Sequence, residues 1–147
     1  MIKFEFRLSS PDESQITGFD MGSMQITCGA SSYDSSERSV MILITITGML
    51  DAVLKLKRDR QQTSVQYGFS GIGSSVEAKF HMVRGLVRVQ VSNQYLGSVT
   101  LEELAVAVGD ASHTFYDSVR QRIPHSDAGK ADFECSMSEF DRQFPPG

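Results

Sequence analysis

Between Val76 and Val119 two alternating segments run directly into a capped amphipathic pattern, and that order leaves few folds open. Val76, Ala78, Phe80 and Met82 alternate with Glu77, Lys79 and His81; after a short break, Val87, Val89 and Val91 alternate with Arg88 and Gln90. An apolar residue at every second position gives a strand one dry face and one wet face, so the pair predicts an antiparallel hairpin laid on a core. Thr100 then stands three residues before Glu103, the spacing of a capping box, in which hydroxyl and carboxylate each take an amide that a helix start leaves without a partner. Leu101, Leu104, Val108, Ala111, Phe115 and Val119 follow at helical spacing. A sheet covered by a helix is the expected product.

The rest of the chain extends this pattern. Alternation predicts strands at 2–8, 23–28, 39–46, 63–70, 75–83 and 86–92, with a short extended piece at 95–99. Helices are expected at 48–59 and 101–122. The first places Met49, Leu50, Val53, Leu54 and Leu56 on one arc, with Asp51 and Lys55 as an i,i+4 pair on the other side and Lys55, Lys57 and Arg58 complementing the dipole in the last turn. Gly109 inside the second is read as permitting close approach to the sheet. Residues 9–22, 29–38, the glycine turn 71–74 and 125–131 are expected as loops. The tail 132–147 carries Phe133, Met137, Phe140 and Phe144, enough apolar surface to dock. Clean alternation requires a solvated face, and two helices are too few for a doubly wound parallel sheet. The expected fold is therefore α+β: a single antiparallel sheet of about six strands with two helices packed on one face, forming one domain over residues 1–147.

A chain of 147 residues with 40% hydrophobic side chains can bury a real core without staples. Cys28 and Cys135 are too few and too distant for a disulfide framework or a zinc site, and Cys28, closing the run Met24, Ile26, Cys28, suits a small buried hydrophobe. Ile2 to Leu8 alternates with Lys3, Glu5 and Arg7, a strand pattern rather than a signal peptide, and the apolar run Val40–Leu50 is too short to span a membrane. A cytoplasmic protein without membrane contact is expected. The net charge is −4 and unevenly placed: residues 1–51 carry seven acids and three bases, 52–100 two acids and seven bases, 101–147 nine acids and four bases. Overall acidity argues against a nucleic-acid partner, since neutralising phosphates dominates that affinity.

Catalytic signals are sparse. Asp110, His113 and Asp117 share a helix face opposite the apolar stripe but have no further ligand nearby, so no metal is expected. The segment Gly68–Ser74 is rich in glycine, yet a strand follows it where a phosphate cradle needs a helix. Lys55, Lys57, Arg58 and Arg60 form a basic run at a helix end without aromatic residues between them. No nucleophile elbow exists, and His81, His113 and His125 are scattered. No catalytic residue, no metal and no cofactor are assigned; a non-enzymatic protein is expected. Val106 alone resists a bland placement, an apolar residue on the polar side of its helix beside Asp110 and His113.

In layout the chain resembles the WapI-type immunity proteins of bacteria. The pieces that carry the resemblance are strand Ile2–Leu8, the passage Val40–Lys57, the aromatic strand Val65-Gln66-Tyr67-Gly68-Phe69, the hairpin 76–91 and the leucine-led helix from Leu101 to Phe115. The resemblance implies a non-enzymatic protein that neutralises a cognate toxin by direct contact. An acidic chain suits a basic toxin, because charge complementarity speeds encounter. For the contact surface, the loop residues Tyr33, Asp34 and Glu37 are expected, together with Asp132, Glu134, Glu139 and Asp141 of the tail: loops often carry recognition, and tyrosine is a large anchor with few torsions to fix. The alternative is a small-molecule-binding or enzymatic domain with a pocket between sheet and helices.

Overall fold

A helix that touches both sheets, not a single sheet, organises the molecule. The computed structural model describes residues 1–36, 39–71 and 76–145. In chain order its elements are strands β1 (Ile2–Leu8), β2 (Met21–Cys28), β3 (Ser31–Asp34) and β4 (Val40–Met41), helix α1 (Ile42–Arg58), strands β5 (Ser64–Ser70), β6 (Glu77–Val83), β7 (Leu86–Val91) and β8 (Gln94–Thr100), helix α2 (Leu101–Val119), a 3-10 turn Arg120–Arg122, and helix α3 (Ala128–Gln143). The protein is α+β, as expected, but among the described residues the expected single six-stranded sheet is two antiparallel sheets of four strands, with three helices.

The second sheet is the meander β5-β6-β7-β8. The turns from β6 to β7 and from β7 to β8 are two residues long, and positive φ at Arg84 (53°) and Gly85 (82°), then at Ser92 (48°) and Asn93 (69°), gives both the twist that suits a tight hairpin. Val65, Phe69, Ala78, Phe80, Met82, Val87, Val89 and Val91 line its buried face. The expected hairpin over 76–91 is thus realised, with its apolar alternation on the buried face. The glycine turn 71–74 lies outside the described residues beyond Gly71.

In the first sheet β2 is central. β1 pairs with one edge; β3 and β4 share the other, at opposite ends of β2. The gap between β3 and β4 is closed by Ser35, which is 1% exposed: its Oγ accepts from Met24 N (2.8 Å) and its N–H donates to Met24 O (2.9 Å). The expected loop 29–38 therefore contains a short strand and a side-chain substitute for a ladder bond.

The largest correction concerns 39–46. Only Val40 and Met41 are strand; the helix starts at Ile42. Ile42, Ile44 and Ile46 alternate, but Ile42, Leu43, Ile46, Met49, Leu50, Val53 and Leu56 follow a helical period, and all seven are buried. Burial on nearly every side lets packing override the poor helix propensity of β-branched residues, at roughly 1.5–3 kcal/mol per large side chain buried. Thr45 and Thr47 bond back to Met41 O and Leu43 O at 2.9 Å each, which satisfies their hydroxyls inside the helix.

The helices do not lie on one face of one sheet. α1 packs against β1 and β2 of the first sheet and β5 and β6 of the second, while α2 packs on β1, β7 and β8. α3 packs along α1, and Gly109 makes room for it rather than for a sheet: a Cβ there would lie 3.0 Å from Phe140 Cε1. The two sheets meet where β8 crosses β2 and β3, so closely that a Cβ on Gly97 would fall 2.4 Å from Cys28 Sγ. Both cysteines are free, Cys28 buried and Cys135 exposed. The expected loop 125–131 is shortened by α3, whose first residue is Ala128 and whose N-cap is Asp127.

Candidate functional site

The site is built on the one long strand at the edge of the first sheet. Gly29 N–H donates to Met1 O (3.3 Å) and Ser9 N–H to Met21 O (3.0 Å), and the register runs from Ile2 opposite Cys28 to Leu8 opposite Gly22. In an antiparallel ladder a residue turns both main-chain groups to the same neighbour, and successive residues alternate. The odd-numbered residues of β1 therefore bond to β2, and the N–H and C=O of Ile2, Phe4 and Phe6 point away from it. Among the described residues no strand pairs with that edge.

An open groove of about 870 Å³ runs along this edge. One wall is residues 1–7; the other is the side of α2 that carries Val106, Ala107, Ala111 and Thr114. α2 holds this position because its capping box forms as expected, Thr100 Oγ1 accepting from Glu103 N (3.1 Å) and Glu103 Oε1 from Thr100 N (3.3 Å). Its buried stripe presses on β1, with Phe6 edge-on to Phe115 at 6.4 Å between ring centres. Small side chains at 107, 111 and 114 keep the opposite wall low.

Four carboxylates and two cationic side chains line the groove. Glu5 sits between Lys3 (3.2 Å) and Arg7 (2.9 Å), and hydrogen bonds from Lys3 first and Arg7 second hold its carboxyl below the usual range. Glu102, Glu103 and Asp110 lie on the α2 side. Val106, 63% exposed, forms a crest between this groove and a second hollow of about 440 Å³ bordered by Phe140, Phe144 and His113.

The residues expected to contact a partner fall elsewhere. Tyr33 is half-buried in β3 and packs on the core; Asp34 is exposed and accepts from Ser36 N (2.8 Å). Glu37 lies outside the described residues. Asp132 is exposed on α3, Glu134 accepts from Tyr116 Oη (2.6 Å), Glu139 pairs with Arg142, and Asp141 pairs with His113 at 2.9 Å. Burial, then the Glu134 bond, raises the Tyr116 hydroxyl well above its ordinary value. β3 rests on β2 and β8 whereas α3 rests on α1, so the two halves of the expected surface have separate supports.

In the basic run Lys57 is half-buried while Lys55, Arg58 and Arg60 are exposed. Lys57 bonds Gln143 O and lies 4.7 Å from the Phe144 ring centre; Arg58 pairs with Asp59 at 2.9 Å. Asp59 also accepts from Tyr67 Oη, and the Arg58 and Tyr67 bonds together lower its carboxyl to about 2. Asp51 bonds Ser136 Oγ (2.8 Å), tying α1 to α3 in place of the expected pair with Lys55. Among the described residues no group of three potential ligands could hold a metal, and no helix is long and apolar enough to cross a membrane.

Sequence reasoning missed the groove because pairing order decides which strand is an edge. The available signals were Val106 and the charged alternation Lys3, Glu5, Arg7, a charge density typical of unpaired edges. No protein-family model, curated protein or solved structure matches this chain.

Proposed function

We propose that this chain acts by binding another protein, and that the partner is a toxin neutralised by direct contact, as the resemblance in layout to WapI-type immunity proteins implies. The observation that supports protein binding is the open edge of β1 beside a groove that continues past Val106 into a second hollow. Main-chain groups at a sheet edge and adjoining apolar surface are what a folded partner uses. A net charge of −4 favours a basic partner. Tyr33, Asp34 and Glu37, with Asp132, Glu134, Glu139 and Asp141, are proposed as a secondary contact region.

The test is co-purification from the native host, identification of the retained protein, and reconstitution from the two purified chains. The expected result is a stable pair that Val106→Asp weakens, with the partner's toxicity relieved by co-expression of this chain. A reconstituted pair without toxicity would keep protein binding and remove the immunity reading. A small metabolite retained in place of any protein would support the alternative, a ligand site between sheet and helix, for which the groove has an ordinary volume.

A further inference from the structure

We infer, resting on the protein-binding reading, that the partner is gripped through an extended segment that adds antiparallel to β1 as a new edge strand of the first sheet. The chemistry of the edge defines that segment. Ile2, Phe4 and Phe6 present their N–H and C=O to the groove, so an incoming strand bonds to them in pairs, and a residue opposite Phe4 or Phe6 carries its side chain on the same face as theirs. That face looks onto Ala107, Ala111 and Thr114 of α2, where small side chains leave space for two apolar ones from the partner.

On the other face the incoming residues stand beside Lys3, Glu5 and Arg7. Directly opposed charges across a strand pair favour opposite signs, so the complementary segment reads acid, base, acid. Beyond the apolar pair, basic ends meet the excess of carboxylates supplied by Glu102, Glu103 and Asp110. A second copy of this chain is the competing occupant: pairing β1 with β1 about Glu5 sets Glu5 against Glu5 and Lys3 against Arg7, whereas pairing about Phe4 sets Lys3 against Glu5.

The probe is the blocked peptide KEVKVEK, which reads the same in both directions. It places its valines opposite Phe4 and Phe6 and its central lysine opposite Glu5. Amide exchange and chemical shifts are followed on the full chain by NMR. In the free chain the amides of Phe4 and Phe6 exchange faster than those of Lys3 and Glu5. Saturation with the peptide slows Phe4 and Phe6 and shifts Ala107 and Ala111. N-methylation of both valines removes the donors to β1, and the charge-swapped peptide EKVEVKE reverses all three charge pairs; each binds about tenfold more weakly or worse. Thr114→Trp, at an exposed position on the groove wall, blocks the peptide without altering the circular dichroism.

No shift at β1 at millimolar peptide overturns the inference. So does equal binding of the N-methylated peptide, which would leave only side-chain contacts. A dimer by sedimentation, with Phe4 and Phe6 already slow in the free chain, would assign the edge to a second copy. A reconstituted partner that binds Thr114→Trp as tightly as the parent removes the groove but leaves protein binding standing. Absence of any protein partner removes the broader reading, and the peptide titration still decides the edge.

Discussion

The carboxylate of Asp127 receives the main-chain N–H of Gly18 on both of its oxygens, at 3.1 Å each, across 109 residues of sequence. The same group caps α3 by accepting from Lys130 N at 2.9 Å. No side chain fits at residue 18, since a Cβ there would lie 2.5 Å from Asp127 Oδ1 and 2.7 Å from Gly129 Cα. Asp127→Ala removes a helix cap and leaves the Gly18 amide without its partner. A loss of about 1.5–3 kcal/mol is expected in urea unfolding. Asp127→Asn keeps one acceptor oxygen for Lys130 N and Gly18 N and should lose clearly less; equal losses would show that the carboxylate charge, not the acceptor, carries the stabilisation.

Ser35 stands in for a missing ladder residue between β3 and β4. Ser35→Ala keeps the volume nearly constant but strands the Met24 N–H inside the sheet, at an expected cost of about 1–3 kcal/mol. The exchange rate of the Met24 amide should rise more than the global stability loss explains. An unchanged unfolding midpoint would refute the assignment.

Ser112 makes the opposite prediction. Its Oγ is buried in α2 with no hydrogen-bond partner among the described residues. Ser112→Ala removes an unsatisfied hydroxyl and should leave stability unchanged or raise it by about 1 kcal/mol. A loss beyond about 1 kcal/mol, read as a lower thermal midpoint, would mean that the hydroxyl is engaged.

The Asp59 carboxyl is lowered from 3.8 to about 2 by Arg58 and then Tyr67. Because the folded value lies below the ordinary one, the contribution is complete above about pH 4 and is lost as pH falls through about 2. An NMR titration of this carboxyl should show that midpoint. Tyr67→Phe removes one of the two bonds and should move the midpoint up toward 3.8 without reaching it, since Arg58 remains. A midpoint unmoved in Tyr67→Phe would assign the whole shift to Arg58.

Local pattern was legible wherever one face of an element is wet. β1 was placed to the residue, β6 and β7 nearly so, and the Thr100–Glu103 cap formed as read. Legibility failed at Ile42–Thr47, where burial on almost all sides removes the contrast that periodicity needs. It failed again at α3, whose Phe133, Met137 and Phe140 do have helical spacing but sit in a weakly apolar stretch. The division into two sheets was hidden because alternation names the face of a strand and not its neighbours. The groove was hidden for the same reason, while Val106 marked its rim.

The meander β5–β8 has a temporal consequence. Its strands are neighbours in sequence, joined through β6 to β8 by two-residue turns, so its pairings form at little cost in loop closure. β1 and the α2 face opposite it are separated by roughly a hundred residues, and contacts of that range form late. On a growing chain β1 therefore emerges long before the helix that walls its groove. Pulse-labelled exchange during refolding should protect the amides of β6 and β7 before those of β1 and β2. The surface proposed to meet a partner would be the last part of the molecule to take shape, and the first to be lost when it loosens.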